Sequence, residues 1–272
     1  AVTVGPLYDM GTFTLMRCNT CGLVFQDGQA PAQDGLIGEI YGDAWVKMKA
    51  SKAAMDLNNH MLFYAHVASS HCPPGGSLLE VGSGTGEFLY LMRQTGRMVR
   101  GVEPSAASSV YAKEHYSLDI IHSAWEESLL DPAEMYDAVV FWHVLEHVPD
   151  PVRFLTGVKT ALRDGGRVVF CVPNSDCFTD LALGQLSPVY AERDHLFHYA
   201  ANNLPLLLAQ SGLRPVNLFT WEPPQRLEEE WRLYSAVFPQ ADASEIKRRL
   251  AFAAWLLAES RGYELFCVAV PI

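Results

Sequence analysis

Apolar and polar positions follow two different periods along this chain. Continuous apolar runs occupy Ser77–Val81, Met98–Val102, Asp119–His122, Tyr136–Trp142, Arg167–Val172, Val216–Trp221 and Glu264–Val270. Their length and β-branched content predict buried strands. Between them, Glu87–Gln94, Ala106–His115, Pro151–Leu162 and Asn202–Ser211 carry helical spacing, and further helical stretches cover 226–236 and 244–260. Asp164-Gly165-Gly166 and Gly212 read as helix stops, because glycine closes a helix without a Cβ penalty. Upstream, Trp45–Ser70 is helical in pattern and Pro73-Pro74-Gly75-Gly76 breaks the chain. Residues 1–40 are rich in Gly, Pro, Gln and Asp, with one strand-like segment, Gly22–Phe25. Apolar strands alternating with helices predict a parallel sheet covered on both faces. Right-handed crossovers then make it doubly wound, with ligands bound beyond the carboxyl ends of the strands.

Chemistry is therefore sought just after each strand. The first ends in Glu80-Val81-Gly82-Ser83-Gly84-Thr85-Gly86-Glu87-Phe88. Glycines there let the backbone turn sharply and approach a ligand closely. A helix follows at once and offers its free N–H groups to an anionic group. A dinucleotide fingerprint, G-x-G-x-x-G, would need glycine at 87, where the chain has Glu87. That disfavours a nicotinamide-dependent oxidoreductase. The second strand leads into Glu103-Pro104-Ser105, about twenty residues beyond the loop, where a carboxylate can accept from both hydroxyls of a ribose.

These motifs, with Tyr136-Asp137-Ala138-Val139 and His143-Val144-Leu145-Glu146-His147-Val148-Pro149-Asp150-Pro151 in order behind them, resemble the class I S-adenosylmethionine-dependent methyltransferases. The resemblance is to their broad small-molecule group (type 11/12/23-like) and covers about residues 77–220. It implies an α/β, doubly wound, Rossmann-like fold: a mostly parallel seven-stranded sheet with helices on both faces, plus a small N-terminal segment. It implies S-adenosylmethionine as cofactor and methyl transfer to an O, N or C atom of a small-molecule acceptor, such as a sugar, quinone precursor or secondary metabolite. Residue by residue, Glu80, Gly82, Ser83 and Gly84 would serve the amino-acid end of the cofactor and Glu103 its ribose. Pro104 would lie beside the adenine, flanked by Ser123, Ala124 and Trp125. The rival within the same fold is a non-catalytic nucleotide-binding module.

His143 and His147 follow the fourth strand, so they are the candidate catalytic residues, with His143 also facing the cofactor. Imidazole can remove a proton from an acceptor near neutral pH; the competing role for His147 is to brace the loop. His143, Glu146, His147 and the later His195 are ligand types that also suit a divalent cation. Hydrogen-bonding histidines at a substrate pocket are the expectation, and no metal is assigned.

Composition narrows the partners. The 272 residues carry a formal net charge of −11, and the densest basic run is only Lys247-Arg248-Arg249. A nucleic acid would be repelled. No apolar run reaches the roughly 18 residues a membrane span needs, and no secretory signal is visible. Six cysteines without regular spacing fit reduced thiols in a cytoplasmic protein. Cys18-Asn19-Thr20-Cys21-Gly22 looks like half a zinc ribbon, but two thiolates do not fill a tetrahedral site. A degenerate knuckle without metal is expected. The chain then divides into residues 1–70, the knuckle and a helical lid, and 71–272, the cofactor-binding domain with a helical insertion near 222–262.

Overall fold

A computed structural model describes residues 3–28, 39–56, 60–126, 129–131, 134–224, 226–228, 231–232 and 245–272. The chain opens with strands β1 (Val4–Asp9), β2 (Thr14–Cys18) and β3 (Val24–Asp27), then helices α1 (Asp43–Asp56) and α2 (His60–Ser69). The repeating part follows as β4 (Ser77–Val81), α3 (Glu87–Gln94), β5 (Met98–Glu103), α4 (Ala106–Tyr116), β6 (Ile120–His122) and β7 (Tyr136–Trp142). A 3₁₀ turn at Leu145–His147 leads to α5 (Pro151–Thr160) and β8 (Leu162–Pro173). Then come α6 (Phe178–Leu183), α7 (Pro188–Ala191), β9 (Phe197–His198), α8 (Leu204–Gln210), β10 (Leu213–Trp221), α9 (Glu245–Ala258) and β11 (Glu264–Pro271).

The large sheet has the order β10-β11-β8-β7-β4-β5-β6. Pairings from β6 through β5, β4 and β7 to β8 are parallel, whereas β11 is antiparallel to both β8 and β10. The order reverses beside β4, so the carboxyl ends of β4, β5 and β7 open on one crevice. Burial on both faces explains the unbroken apolar runs. In β7, Val139 and Phe141 join one core cluster while Ala138, Val140 and Trp142 join the other. Such fully buried side chains contribute about 1.5–3 kcal/mol each.

Two differences from the sequence-based expectation have physical causes. The helix expected to run to Leu162 ends at Thr160, and the Asp164-Gly165-Gly166 stop lies inside β8 as a bulge. Arg163 anchors that bulge, donating to Asp137, Ser77 and the Met135 carbonyl. The N-terminal region holds β1 and β2 besides the one expected strand, and β3 pairs with the distant β9 to make a four-stranded antiparallel sheet. Polar composition hid an alternation that one packed face suffices to fix. Trp45–Ser70 carries helices α1 and α2, as its helical pattern predicts, and residues 57–59 between them lie outside the described residues. Within the expected helical insertion, residues 225, 229–230 and 233–244 lie outside the described residues, as do 29–38 of the N-terminal region. No helix among the described residues is long and apolar enough to cross a membrane.

Candidate active site

A cavity of about 1080 Å³ opens at the carboxyl ends of β4, β5 and β7. One end is a backbone cradle. Gly82, at φ +74°, turns the chain out of β4, and a Cβ there would lie 2.5 Å from Val144 Cγ2. Gly84, at φ +51°, brings its N–H to Glu103, whose Oε2 accepts it at 2.7 Å while Oε1 accepts from Ser105 N–H at 2.7 Å. Each carboxylate oxygen keeps a second lone pair for a ligand. Burial pushes Glu103 above the usual carboxylate range, and the two N–H donors work against that. Behind the turn, burial and then the neighbouring charges of Glu87 and Glu103 hold the fully buried Glu80 well above its ordinary value. Ser105 caps α4, accepting from Ser108 N–H at 3.2 Å, and donates to the Tyr41 carbonyl at 2.8 Å. The helical N-terminal region is thereby fastened to the cradle's rim. A turn closed to a Cβ at Gly82 and Gly86, an acid at the next strand end and Ala124–Trp125 in the wall together fit S-adenosylmethionine.

The other end of the cavity gathers imidazoles and carboxylates. His143 leaves β7 at φ +53°, a left-handed conformation uncommon for a side chain of this kind. Its Nδ1 lies 3.4 Å from Glu146 Oε1 and its Nε2 lies 3.2 Å from Glu264 Oε1. The Tyr64 hydroxyl donates to the same Glu264 oxygen at 2.8 Å and stands 3.1 Å from His143 Nε2. Burial would depress His143, but the Cys171 sulfur and the two carboxylates outweigh it and hold the imidazole well above its ordinary value. Burial pushes the Cys171 thiol up to about 11, so it is uncharged near neutral pH. The acids facing the ring are Glu146 at Nδ1 and Glu264 at Nε2. Glu146 is 1% exposed; against the pull of burial, His143, His147 and His195 hold it down to about 2.

His147 sits one layer out, its Nδ1 2.9 Å from the Asp194 carbonyl and its Nε2 3.9 Å from Glu146 Oε1. Asp194 also accepts from the Tyr41 hydroxyl at 3.3 Å. The buried His195 meets Glu192 at 2.7 Å, which holds His195 above its ordinary value against burial. Donor atoms of Glu146, His147 and His195 lie within 4.8 Å of one another, as do those of His143, Cys171 and Glu264. In both sets the contacts run from imidazole to carboxylate. Gln26 of β3 donates to the Arg193 and His195 carbonyls at 3.1 and 2.9 Å, clasping the small sheet to this loop.

Of the residues singled out from sequence, the cavity brings together Glu80, Gly82, Ser83, Gly84, Glu103, Pro104, Ala124, Trp125, His143 and His147. Ser123 does not line it; its N–H donates to the Glu103 carbonyl. Glu146 and His195 stand behind the wall rather than in it. Sequence reasoning did not single out Glu264, Tyr263 or Tyr64. The signal for Glu264 was an acid heading a run that is otherwise apolar, Leu265–Val270.

Comparison with known proteins agrees with this arrangement. The family described as a methyltransferase domain matches residues 58–218. The chain is 29% identical over 171 residues to the ubiquinone biosynthesis O-methyltransferase of Bradyrhizobium sp. (strain ORS 278), covering 56% of this chain and 66% of that protein. It is 33% identical over 105 residues to the protein of that name from Vibrio vulnificus (strain YJ016), covering 37% and 45%. The chain thus spans less than two thirds of either relative. Among solved structures, a methyltransferase of Thermotoga maritima superposes with a TM-score of 0.59 at 14% identity, covering 87% of this chain and 99% of that one. The 1,6-didemethyltoxoflavin-N1-methyltransferase of Burkholderia thailandensis, solved with S-adenosylhomocysteine, gives 0.56 at 14% identity, covering 98% of each. At that identity the likeness speaks for the fold, and the family match over more than half of the sequence supplies the rest. With its glycine cradle and strand-end acid in one crevice, this chain belongs to the methyltransferase-domain family of class I S-adenosylmethionine-dependent enzymes.

Proposed function

We propose that the protein transfers the methyl group of S-adenosylmethionine to a small-molecule acceptor. The observation that carries this reading is a single cavity holding the Gly82–Gly84 turn, Glu103 and Ala124–Trp125 at one end and His143, His147 and Glu264 at the other. S-adenosylmethionine brings a methyl group on a positively charged sulfur, with a good leaving group already built in. Glu103 accepts from the ribose hydroxyls, and the backbone of Gly82, Ser83 and Gly84 meets the amino-acid end. Pro104, Ala124 and Trp125 enclose the adenine, with Ser123 behind them. His143 and His147 face the acceptor. Alignment of donor and acceptor then lowers the barrier by several kcal/mol, up to about 7–11 in ideal geometry.

Residues 1–70 and the stretch near 222–262 form the cover on the acceptor side of the 71–272 domain in this reading. Tyr41, Trp45 and Lys49 from the α1 region and His60, Met61 and Tyr64 from α2 line the cavity and support it. The Cys18–Cys21 turn serves this cover as a knuckle without metal. The relatives' names include ubiquinone biosynthesis, and a quinone precursor, sugar or secondary metabolite has the size this cavity takes. The acid-rich charge of −11 supports a small acceptor over a nucleic acid. Six free cysteines, five of them buried, support action in the reducing cytoplasm.

Calorimetric titration with S-adenosylmethionine, S-adenosylhomocysteine and NADH tests the reading. Binding of the first two and not the third is expected; no binding of either at millimolar concentration ends it. Labelled methyl appearing in an acceptor separates an enzyme from a binding module of the same fold.

A further inference from the structure

Two buried carboxylates, from opposite directions, grip one imidazole at the acceptor end of the cavity. Glu146 approaches His143 Nδ1 from the 3₁₀ turn at 3.4 Å; Glu264 approaches Nε2 from the head of β11 at 3.2 Å. Glu264 is 2% exposed and Glu146 is 1% exposed, while His143 between them keeps 32% of its side chain exposed and lines the cavity. Tyr64 completes the grip. Its hydroxyl is committed to Glu264 as donor at 2.8 Å, and its ring stacks on Trp142 with centroids 4.7 Å apart. His60 Nε2 stands 3.8 Å from the same Glu264 oxygen. Cys171 on β8, uncharged near neutral pH, Tyr263 beside Glu264, and His147 and His195 facing Glu146 are further titratable neighbours.

An imidazole with a carboxylate on each nitrogen is most stable with a proton on both. We propose that Glu264 and Tyr64, with Glu146, keep His143 as an imidazolium, and that the acceptor is an uncharged nitrogen compound that attacks with its own lone pair. The second half rests on the methyltransferase reading above. A doubly protonated His143 cannot take a proton from an acceptor hydroxyl, so it is not the general base that its place after β7 suggests. The gripped group of two carboxylates and one imidazolium sums to a charge of −1, which repels an anionic acceptor. It favours one that gains positive charge as it reacts. In the step, the nitrogen lone pair forms the N–C bond while the C–S bond breaks and its electron pair stays on sulfur. The nitrogen becomes a cation facing Glu264, and its proton passes to water afterwards.

Glu264 and Tyr64 are positioning residues here, and spectroscopy reads them directly. Protein labelled with 15N-histidine is followed by long-range 1H–15N NMR between about pH 6 and 9, with His143→Gln identifying the signal. Both ring nitrogens of His143 should stay protonated at about pH 8, and Glu264→Gln should lower its midpoint by at least about one pH unit. Tyr64→Phe, which keeps the ring packing, should lower it by less. A wild-type midpoint near 6.5, or one that Glu264→Gln leaves in place, overturns the proposal; so does a metal ion found on Glu146 with His143 neutral. For the acceptor, phenyltrimethylammonium and benzoate are titrated into protein saturated with S-adenosylhomocysteine. The cation should bind at least about tenfold more tightly, and Glu264→Gln should erase the preference. No preference, or one for benzoate, overturns the nitrogen acceptor. Failure of S-adenosylhomocysteine to bind the wild type sinks the methyltransferase reading, whereas the protonation state of His143 measured by NMR stands apart from it.

Discussion

At Glu103 one carboxylate both closes the glycine turn and faces the cavity, through the N–H groups of Gly84 and Ser105. Glu103→Ala should weaken S-adenosylhomocysteine binding roughly 10–100-fold by calorimetry, as expected for loss of charge-assisted hydrogen bonds. Unchanged affinity would contradict the ribose role. Glu80 makes a prediction about pH. Its folded value lies well above the ordinary 4.5, so the folded state holds that proton more tightly than the unfolded chain does. Stability is therefore lost as pH rises from the unfolded value toward the folded one. Glu80→Gln should melt higher than wild type near neutral pH, with the gap closing as the solution is acidified toward about pH 4. A gap that widens on acidification refutes it. Glu103 and His143 were legible because each sits at the tip of an apolar run. The Glu264–Tyr64 contact was not, because its partners lie 200 residues apart.

Among the elements, the β4–α3 turn is tightly closed at Gly82 and Gly86. At Gly82 a Cβ would meet a branched valine at 2.5 Å in a left-handed backbone. Gly82→Ala should abolish donor binding in calorimetry while leaving the far-UV circular dichroism in place. Retained affinity would show that the turn has slack. In the sheet, Phe141 is wholly buried, stacked on Phe170 with centroids 4.6 Å apart. Phe141→Ala should cost about 3–5 kcal/mol in denaturant unfolding. Three elements of this central region followed from period: β4, α3 and β7 fall where the pattern puts them, whereas the start of β8 was hidden by a glycine pair that reads as a helix stop. The small sheet did not, because β9 is only two residues long and its partner β3 lies far back in sequence. Pairing of that kind leaves no periodic trace.

For the molecule as a whole, the four-stranded sheet ties the N-terminal residues to the acceptor side through Gln26, while Tyr41 bridges to both the cradle rim and Asp194. Removing residues 1–40 should therefore reduce methyl transfer more than S-adenosylhomocysteine affinity. Equal loss of both, or loss of affinity alone, would disprove the cover. The doubly wound architecture was readable from alternation alone. The direction of the last strand was not, since an apolar run looks the same forwards and backwards. Because β11 runs against its neighbours, its first residue, Glu264, lies opposite Pro173 at the ligand edge of the sheet. That reversal puts an acid into the site.

The same strand has a consequence for biosynthesis. β11 slots between β8 and β10, both of which leave the ribosome before it. Until it arrives, β10 has no neighbour linking it to the sheet and His143 lacks one of its two acids. Nascent protein halted before Glu264 should expose raw strand edges to chaperones, and the insertion that hides those edges is the one that brings Glu264 to the cavity.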